Sequence, residues 1–459
     1  MLKIKDLEIK KKPLLEKYNV PVPRYTSYPT VPYWNKETID EENWKLSVKN
    51  SFDKTNKQNG IAIYIHLPYC ESICTFCGCN KRITKNHTVE KPYIETILKE
   101  WEIYQKIFNE KPIIKELHLG GGTPTFFSPD SLKTLIKGIL KNSELATNYE
   151  FSLEVHPNVT TEEHIKTLYE LGFRRISIGV QDFDPYVQTM INRVQSFEQV
   201  KFINDISKKY GFTSINFDLV YGLPFQKEES IINTVNKVKE LMPDRIAFYS
   251  YAHVPWKSAG QRRYTESDLP SAEYKRKLYE TGRTLLEENG YSEIGMDHFS
   301  LKTDKLYKSM KNETMHRNFM GYTDNYTELL IGLGVSSISD TWNGFMQNNK
   351  VIEEYMESIN SGKLAISEGH ILNEEDMIIR RHILNLMCHF KTEFNKNELY
   401  IQDGIKRISE LENDELVIVK DNIVSVTELG KTFIRNICMC LDNRLWSKTP
   451  STQLFSKAI

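Results

Sequence analysis

HLPYCESICTFCGCN, residues 66–80, sets four of the chain's seven cysteines within ten positions, at Cys70, Cys74, Cys77 and Cys79. A disulfide framework spreads its cysteines along a chain, so clustering of this kind points to metal. The spacing is C-x-x-x-C-x-x-C, with one more cysteine two residues on. Three thiolates on one short loop can hold three irons of a cubane four-iron four-sulfur cluster and leave the fourth iron open to an outside ligand. The competing reading is a structural zinc ion bound by all four cysteines. Zinc sites normally draw on two separated pairs, whereas Cys77 and Cys79 are one residue apart and would crowd a single tetrahedron.

Outward from this loop the sequence alternates strand-like and helical runs. GIAIYIHL, from Gly60, leads into the cysteines, and five more β-branched runs follow: IKELHLG from Ile114, EFSLEV from Glu150, RRISIGV from Arg174, SINFDLV from Ser214 and RIAFYSY from Arg245. Helical patterns lie near 88–109, 129–141, 161–171, 184–208, 228–241 and 271–289. Right-handed crossovers between parallel strands curl such units into a barrel with its helices outside. The predicted fold is α/β, a partial (β/α)6 TIM-like barrel over residues 56–290. The polar strings HLPYC, GGGTPT, EVHPN, GVQDF, DLVYGLP and YAHVP all stand at strand C-termini, the face where β/α barrels build active sites. Residues 1–55 read as an N-terminal segment covering the substrate and 291–369 as a connecting extension of the barrel. Residues 370–459 read as a small, mainly helical unit: helices at 370–390 and 394–412, then ELVIVKDNIVSV with Asp421-Asn422 as its turn, in the manner of a winged helix.

Composition narrows the class without naming a partner. With 60 basic and 61 acidic side chains the formal net charge is −1, so no global field favours nucleic acid or an anionic membrane. No apolar run approaches the roughly 20 residues that span a bilayer, and the N-terminus lacks the apolar core of a secretory signal. A soluble, cytoplasmic protein is expected. Cys388, Cys438 and Cys440 fall in helical segments, where free cysteines pack as small apolar residues.

S-Adenosylmethionine can fill the open iron position through its amino and carboxylate groups; an electron from the cluster then cleaves its sulfonium to a 5′-deoxyadenosyl radical, chemistry the protein orients. Phe76, between the second and third cysteines, can cover a cofactor ring or seal the cluster from water. Gly120-Gly121-Gly122-Thr123-Pro124 permits close backbone approach to the methionine end. It lacks the lysine and spacing of a phosphate loop, which excludes nucleoside triphosphate hydrolysis.

Taken as a set, the motifs resemble the oxygen-independent coproporphyrinogen III oxidases of haem biosynthesis, within the radical S-adenosylmethionine superfamily. The resemblance covers most of the chain: PRYTSYPT (23–30), YIHLPYCESICTFCGCNK (64–81), GGGTPT (120–125), GVQDF (179–183), INR (191–193), DLVYGLP (218–224), YAHVP (251–255), GMDHF (295–299), HRNFMGYT (316–323) and GLGVSSIS (332–339). PRYTSYPT, Cys79, GMDHF and HRNFMGYT are the strings specific to this branch. The resemblance implies oxidative decarboxylation of two propionates of coproporphyrinogen III to vinyl groups, giving protoporphyrinogen IX. Related tetrapyrrole-directed radical enzymes or a haem carrier are the nearest alternatives, and a zinc-containing DNA-binding regulator is the rival from another class. The C-terminal segment lacks a basic recognition stripe, so a lid over the barrel mouth is the expected role there.

What the resemblance implies for single residues follows position by position. Cys70, Cys74 and Cys77 hold the cluster. Two S-adenosylmethionine molecules are implied, one at Tyr64, Gly121, Glu154, Ala252 and Ile338, the other at Phe76, Gly122, Thr123, Gln181, Arg193 and Asp218. Tyr64 and Cys79 are candidate catalytic residues, with packing or a lineage feature as the alternatives for Cys79, and core packing for Tyr64. Glu154 and Asp218 can accept from amino or ribose hydroxyl groups and Arg193 can pair with a carboxylate, although a surface ion pair is the bland reading of any charged residue. Arg24, Tyr25 and Tyr28 are expected to close over the tetrapyrrole, its propionates favouring arginine and its rings aromatic contact. His156 and Trp256 depart from the residues common in the family and bear on the substrate pocket. A flavodoxin- or ferredoxin-like electron donor and a monomeric state are expected.

Overall fold

The computed structural model describes residues 13–256, 258–395, 397–448 and 454–458. Helix α1 (Glu41–Asn59) leads into β1 (Ile61–Leu67). Strand and helix then alternate through α2 (Glu90–Ile107), β2 (Ile113–Gly121), α3 (Pro129–Leu140), β3 (Glu144–Val155), α4 (Glu162–Glu170) and β4 (Phe173–Gln181). The series continues with α5 (Phe197–Tyr210), β5 (Ser214–Tyr221), α6 (Glu228–Leu241), β6 (Arg245–Ser250) and α7 (Ala272–Glu288). Strands β1 to β6 are parallel neighbours in sequence order, the partial barrel that the alternation predicts.

Flanking strands outside the six widen the sheet. β7 (Tyr291–Gly295) and β8 (His298–Leu301) form a hairpin against β6. On the far side β9 (Leu330–Leu333) runs parallel to β1 and is followed by antiparallel β10 (Ile338–Asp340), β11 (Gly344–Asn348) and β12 (Ile366–Ile371), with helix α8 (Ile352–Asn360) before the last. The order is β12-β11-β10-β9-β1-β2-β3-β4-β5-β6-β8-β7.

Local chemistry accounts for the boundaries. Ser128, Thr161, Ser196 and Ser271 each accept a hydrogen bond from the amide three residues on, capping α3, α4, α5 and α7. Gly60 ends α1 at φ 66°, where a Cβ would stand 2.7 Å from the Ile113 carbonyl oxygen. On the outer face of the sheet Ile63, Leu117, Leu153, Ile176 and Phe217 pack in one cluster with Trp101 and Leu135 of the helices. The inner face is polar, and that alternation of period two gives the barrel a wettable lumen.

At the base of the lumen Arg175 meets Glu150 at 2.9 Å and Arg245 meets Asp304 at 2.9 Å. Buried Glu116 accepts from Thr323 Oγ1 at 2.6 Å, while its other oxygen has no partner. Burial pushes its carboxyl up to about 7, from 4.5. The folded chain therefore holds this proton where the unfolded chain has released it, so the contribution to stability is complete below pH 4.5 and is lost as pH rises through 7. Glu116→Gln keeps the acceptor for Thr323 and removes the titration. Urea unfolding from pH 4.5 to 7 is expected to show the variant's stability falling less steeply, by up to ~1.4 kcal/mol per pH unit.

Two helices expected from the sequence are divided. The run 184–208 is a short helix, Pro185–Met190, and α5, separated because Asn192 adopts φ 52° and Ser196 starts a new capping box with Gln199. The run 370–390 opens as strand β12 and becomes helix α9 (Glu374–His389) only after Asn373 caps it, because the first residues complete the sheet edge against β11.

The C-terminal part contains α9, α10 (Gln402–Asn413) and α11 (Ile434–Leu441) around a three-stranded antiparallel sheet of β13 (Lys391–Glu393), β14 (Val417–Lys420) and β15 (Ile423–Val426). Asp421 and Asn422 both take positive φ, as a two-residue hairpin turn requires. Val22, Tyr25 and Tyr28 belong to the apolar cluster of this unit together with Ile379, Leu411 and Ile437.

Candidate active site

A cavity of about 650 Å³ opens at the C-terminal ends of β1 to β6. Its wall includes Cys70, Cys74, Cys77 and Cys79, with Phe76 between them. The cysteine loop is pinned from several sides. Gly122 N donates to Leu67 O at 2.8 Å and Thr123 N to Tyr69 O at 3.0 Å, which lays the glycine turn along the loop. A Cβ on Gly122 would lie 2.6 Å from Pro68 O, so only glycine allows this approach. Asn192 Nδ2 donates to Ile73 O at 2.7 Å, and Gln261 Nε2 to Phe76 O at 3.1 Å. Phe76 packs against the small apolar cluster that contains Ile191, Leu223 and Tyr264, closing the apolar side of the loop.

Gly122→Ala therefore forces the turn off the cysteine loop. The expected cost is ~1–3 kcal/mol of overpacking strain, read from urea unfolding, together with weaker S-adenosylmethionine binding in equilibrium dialysis.

The electrostatics differ from cysteine to cysteine. Cys70 is pushed up to about 11 by burial, partly offset by Thr123 Oγ1 at 3.3 Å from its sulfur. Cys77 is pulled down to about 6, first by a hydrogen bond from Cys79 and then by the Lys81 ammonium. Arg193 Nη1 reaches the Cys74 sulfur at 3.6 Å while Nη2 donates to Gly179 O at 2.7 Å. Its Nε is buried without a partner. The break before α5 produces this placement: residues 191–195 leave helix, and Gln195 Nε2 anchors them on Gly179 O and Val180 O.

Across the cavity Asp218 accepts from Ser177 Oγ at 2.8 Å and Asn216 Nδ2 at 2.9 Å, and burial raises its carboxyl to about 6. Glu154 Oε2 accepts from Gly121 N at 3.3 Å, and its other oxygen lies 3.5 Å from His118 Nε2. Gln181 stands at φ 68° where the β4–β5 register shifts, a bulge that turns its side chain to the cavity.

These residues fit the expected group. Among the described residues no three His, Cys, Asp or Glu side chains converge where one ion would sit. A cubane takes one thiolate at each of three irons, so it asks for sulfurs set around a body and not gathered on one point. The unpartnered Nε of Arg193 and the glycine turn give an anionic, amino-acid-like ligand a donor and a place for close backbone approach.

Of the residues singled out in the sequence, Cys70, Cys74, Phe76, Cys77, Cys79, Gly121, Gly122, Thr123, Glu154, Gln181, Arg193, Asp218 and Ala252 share this wall. Tyr64 lies beneath it, stacked on His118 at 5.9 Å with its hydroxyl 3.1 Å from His66 Nδ1. Ile338, on β10, is outside the wall. Tyr25 and Tyr28 are not in the wall: both residues are 2% exposed in the C-terminal core, with Tyr25 donating to Asp442 Oδ2 at 3.1 Å. Arg24 is not in the wall either; it pairs with Asp297 at 3.1 Å and donates to the carbonyl of wall residue Ser250 at 3.4 Å. His156 is in the wall, and Trp256 is 51% exposed.

Sequence reading gave no role to His118, Ser177, Asn216, Arg245, Tyr249, His298, Met320 or Tyr322, all of which line the cavity. The available signal was polar residues at every second strand position, such as Arg175-Ile176-Ser177 and Asn216-Phe217-Asp218, the mark of a polar inner face.

Comparison with known proteins agrees with this geometry. The sequence model of the radical SAM superfamily matches residues 64–238, from β1 into α6. Oxygen-independent coproporphyrinogen III oxidase of Salmonella typhimurium is 36% identical over 97% of this chain and 98% of its own, and that of Escherichia coli 35% identical over 97% and 98%. The solved structure of the Escherichia coli coproporphyrinogen III oxidase, a radical SAM enzyme, superposes with a TM-score of 0.87 at 34% identity, covering 92% of this chain and 97% of that one. The chain belongs to the family of oxygen-independent coproporphyrinogen III oxidases.

Proposed function

We propose that the protein oxidises coproporphyrinogen III without oxygen, converting two propionate side chains to vinyl groups to give protoporphyrinogen IX. The observation that carries the reading is one open cavity that gathers the C-x-x-x-C-x-x-C loop, the glycine turn and the family-specific GMDHF and HRNFMGYT strings. Cys70, Cys74 and Cys77 hold a four-iron four-sulfur cluster. When bound, the reduced cluster and S-adenosylmethionine would supply one-electron chemistry able to remove a hydrogen atom from the β-carbon of each propionate, and each alkene would then form with loss of carbon dioxide and of one electron to an acceptor.

The chain's own residues bind and orient. Glu154, fixed by Gly121 N, receives an amino group, and Arg193 receives a carboxylate through its unpartnered Nε. Asp218, held by Ser177 and Asn216, accepts from ribose hydroxyls or an amino group. Tyr64 and Ala252 bound the first S-adenosylmethionine with Gly121, Glu154 and Ile338, while Phe76, Gly122, Thr123, Gln181, Arg193 and Asp218 bound a second. Arg24 steadies a propionate at the rim, Cys79 tunes the neighbouring Cys77, and a flavodoxin- or ferredoxin-like protein delivers the electron to a monomer in the cytosol. Among the described residues no helix is long and apolar enough to cross a membrane.

The test is anaerobic incubation of the reconstituted, reduced protein with S-adenosylmethionine and coproporphyrinogen III. Protoporphyrinogen IX formed together with 5′-deoxyadenosine supports the assignment; 5′-deoxyadenosine with intact propionates moves the substrate elsewhere.

A further inference from the structure

GMDHF and HRNFMGYT mark this branch of the superfamily and lie more than 200 residues beyond the cysteine loop in sequence. In the fold they meet in the wall of the same cavity, where His298, Met320 and Tyr322 are joined by Tyr249 of β6. His298 Nδ1 is 2.7 Å from the Met296 carbonyl oxygen. A carbonyl only accepts, so Nδ1 carries the hydrogen, and in the neutral ring Nε2 is left with a lone pair. Burial keeps the ring neutral, pulling it down to about 4. The ring is held edge-on between Tyr322, centroids 5.1 Å apart at 77°, and Tyr249, 5.5 Å at 83°. Tyr322 donates its hydroxyl hydrogen to Met387 O and accepts from Met296 N, whereas the Tyr249 hydroxyl has a long 3.4 Å contact with His298 Nε2, to which it can only donate. The Tyr249 oxygen thus keeps free lone pairs beside an Nε2 that is held only by this long donation, in a cavity wall that also carries Asn216, Arg245 and Ser250.

We infer that His298 Nε2 and the Tyr249 hydroxyl oxygen form an acceptor site for pyrrole N–H groups, which selects the reduced porphyrinogen over the oxidised porphyrin. This rests on the substrate reading above. A porphyrinogen presents four N–H donors. A porphyrin presents two, and its other two ring nitrogens turn lone pairs toward the same acceptors, leaving buried groups unpaired. The aromatic edges of Tyr322 and Tyr249 then flank the macrocycle, and the site positions substrate without taking part in the chemistry.

The test is anaerobic equilibrium binding of coproporphyrinogen III and of coproporphyrin III to the cluster-reconstituted protein with S-adenosylmethionine omitted. The unaltered protein is expected to favour the reduced form. His298→Phe should lower that preference by about tenfold with affinity for the porphyrin and iron content unchanged, and His298→Gln, which offers an amide oxygen near the Nε2 position, should retain most of it. Tyr249→Phe keeps the ring and should lower the preference also, so the inference does not depend on one variant folding. An equal loss for both tetrapyrroles, or an unchanged ratio in both variants, overturns it. An unaltered protein that binds neither tetrapyrrole overturns the substrate reading itself.

Discussion

Cys74→Ala is expected to strip the reconstituted protein of cluster iron and to reduce 5′-deoxyadenosine formation by more than ~100-fold. Loss of a partner one shell out from a metal already costs about 10–100-fold in affinity, and loss of a direct ligand exceeds that. Cys74 is buried and accepts from Arg193 Nη1, so its removal leaves two thiolates and also takes the sulfur from a guanidinium whose Nε is already without a partner. Cys79 is exposed in the cavity wall and hydrogen-bonds to Cys77, and it stands outside the C-x-x-x-C-x-x-C triad. Cys79→Ser should accordingly keep its iron. Iron and sulfide analysis beside the 5′-deoxyadenosine assay checks both variants, and iron retained by Cys74→Ala would count against the ligand assignment.

Arg380→Ala is expected to cost ~3–5 kcal/mol of stability, the usual consequence of breaking a buried ion pair from one side. Arg380 on α9 pairs with Asp340 on β10, both nearly inaccessible, with Nη1 at 3.1 Å from Oδ1 and the second nitrogen on Oδ2. Nη1 also donates to Trp342 O at 2.7 Å, and the guanidinium lies 4.4 Å from the Trp342 ring and 4.8 Å from Phe345. Asp340 in turn accepts from Trp342 N at 2.8 Å. One side chain therefore joins the C-terminal helices to the sheet, and its loss strands a buried carboxylate. Urea unfolding measures the cost; Asp340→Leu with Arg380→Met should recover much of it, because two apolar side chains leave no charge behind.

The sequence was most legible where spacing alone constrains chemistry. The cysteine loop, the six strands and the turn at Asp421-Asn422 follow from local patterns, and strand order follows from the handedness of crossovers. Legibility failed where long-range packing decides. Tyr25 and Tyr28 look like substrate contacts because aromatic rings suit flat pyrrole rings, but the segment is threaded through the C-terminal core more than 350 positions away in sequence, which no local pattern encodes. The break at residues 191–196 was hidden by helix-forming neighbours on both sides, although Ser196 and Gln199 spell a capping box. The wall of Tyr249, His298 and Tyr322 is assembled from three separate segments and is visible only once the sheet brings them together.

The most direct measurement of the central claim is isotope transfer. Coproporphyrinogen III deuterated at the propionate β-carbons is incubated anaerobically with the reduced, reconstituted protein and S-adenosylmethionine, and the 5′-deoxyadenosine is analysed by mass spectrometry. Deuterium in the 5′-deoxyadenosine, in step with divinyl product, is the predicted result. 5′-Deoxyadenosine free of deuterium, with the propionates intact, would contradict the account.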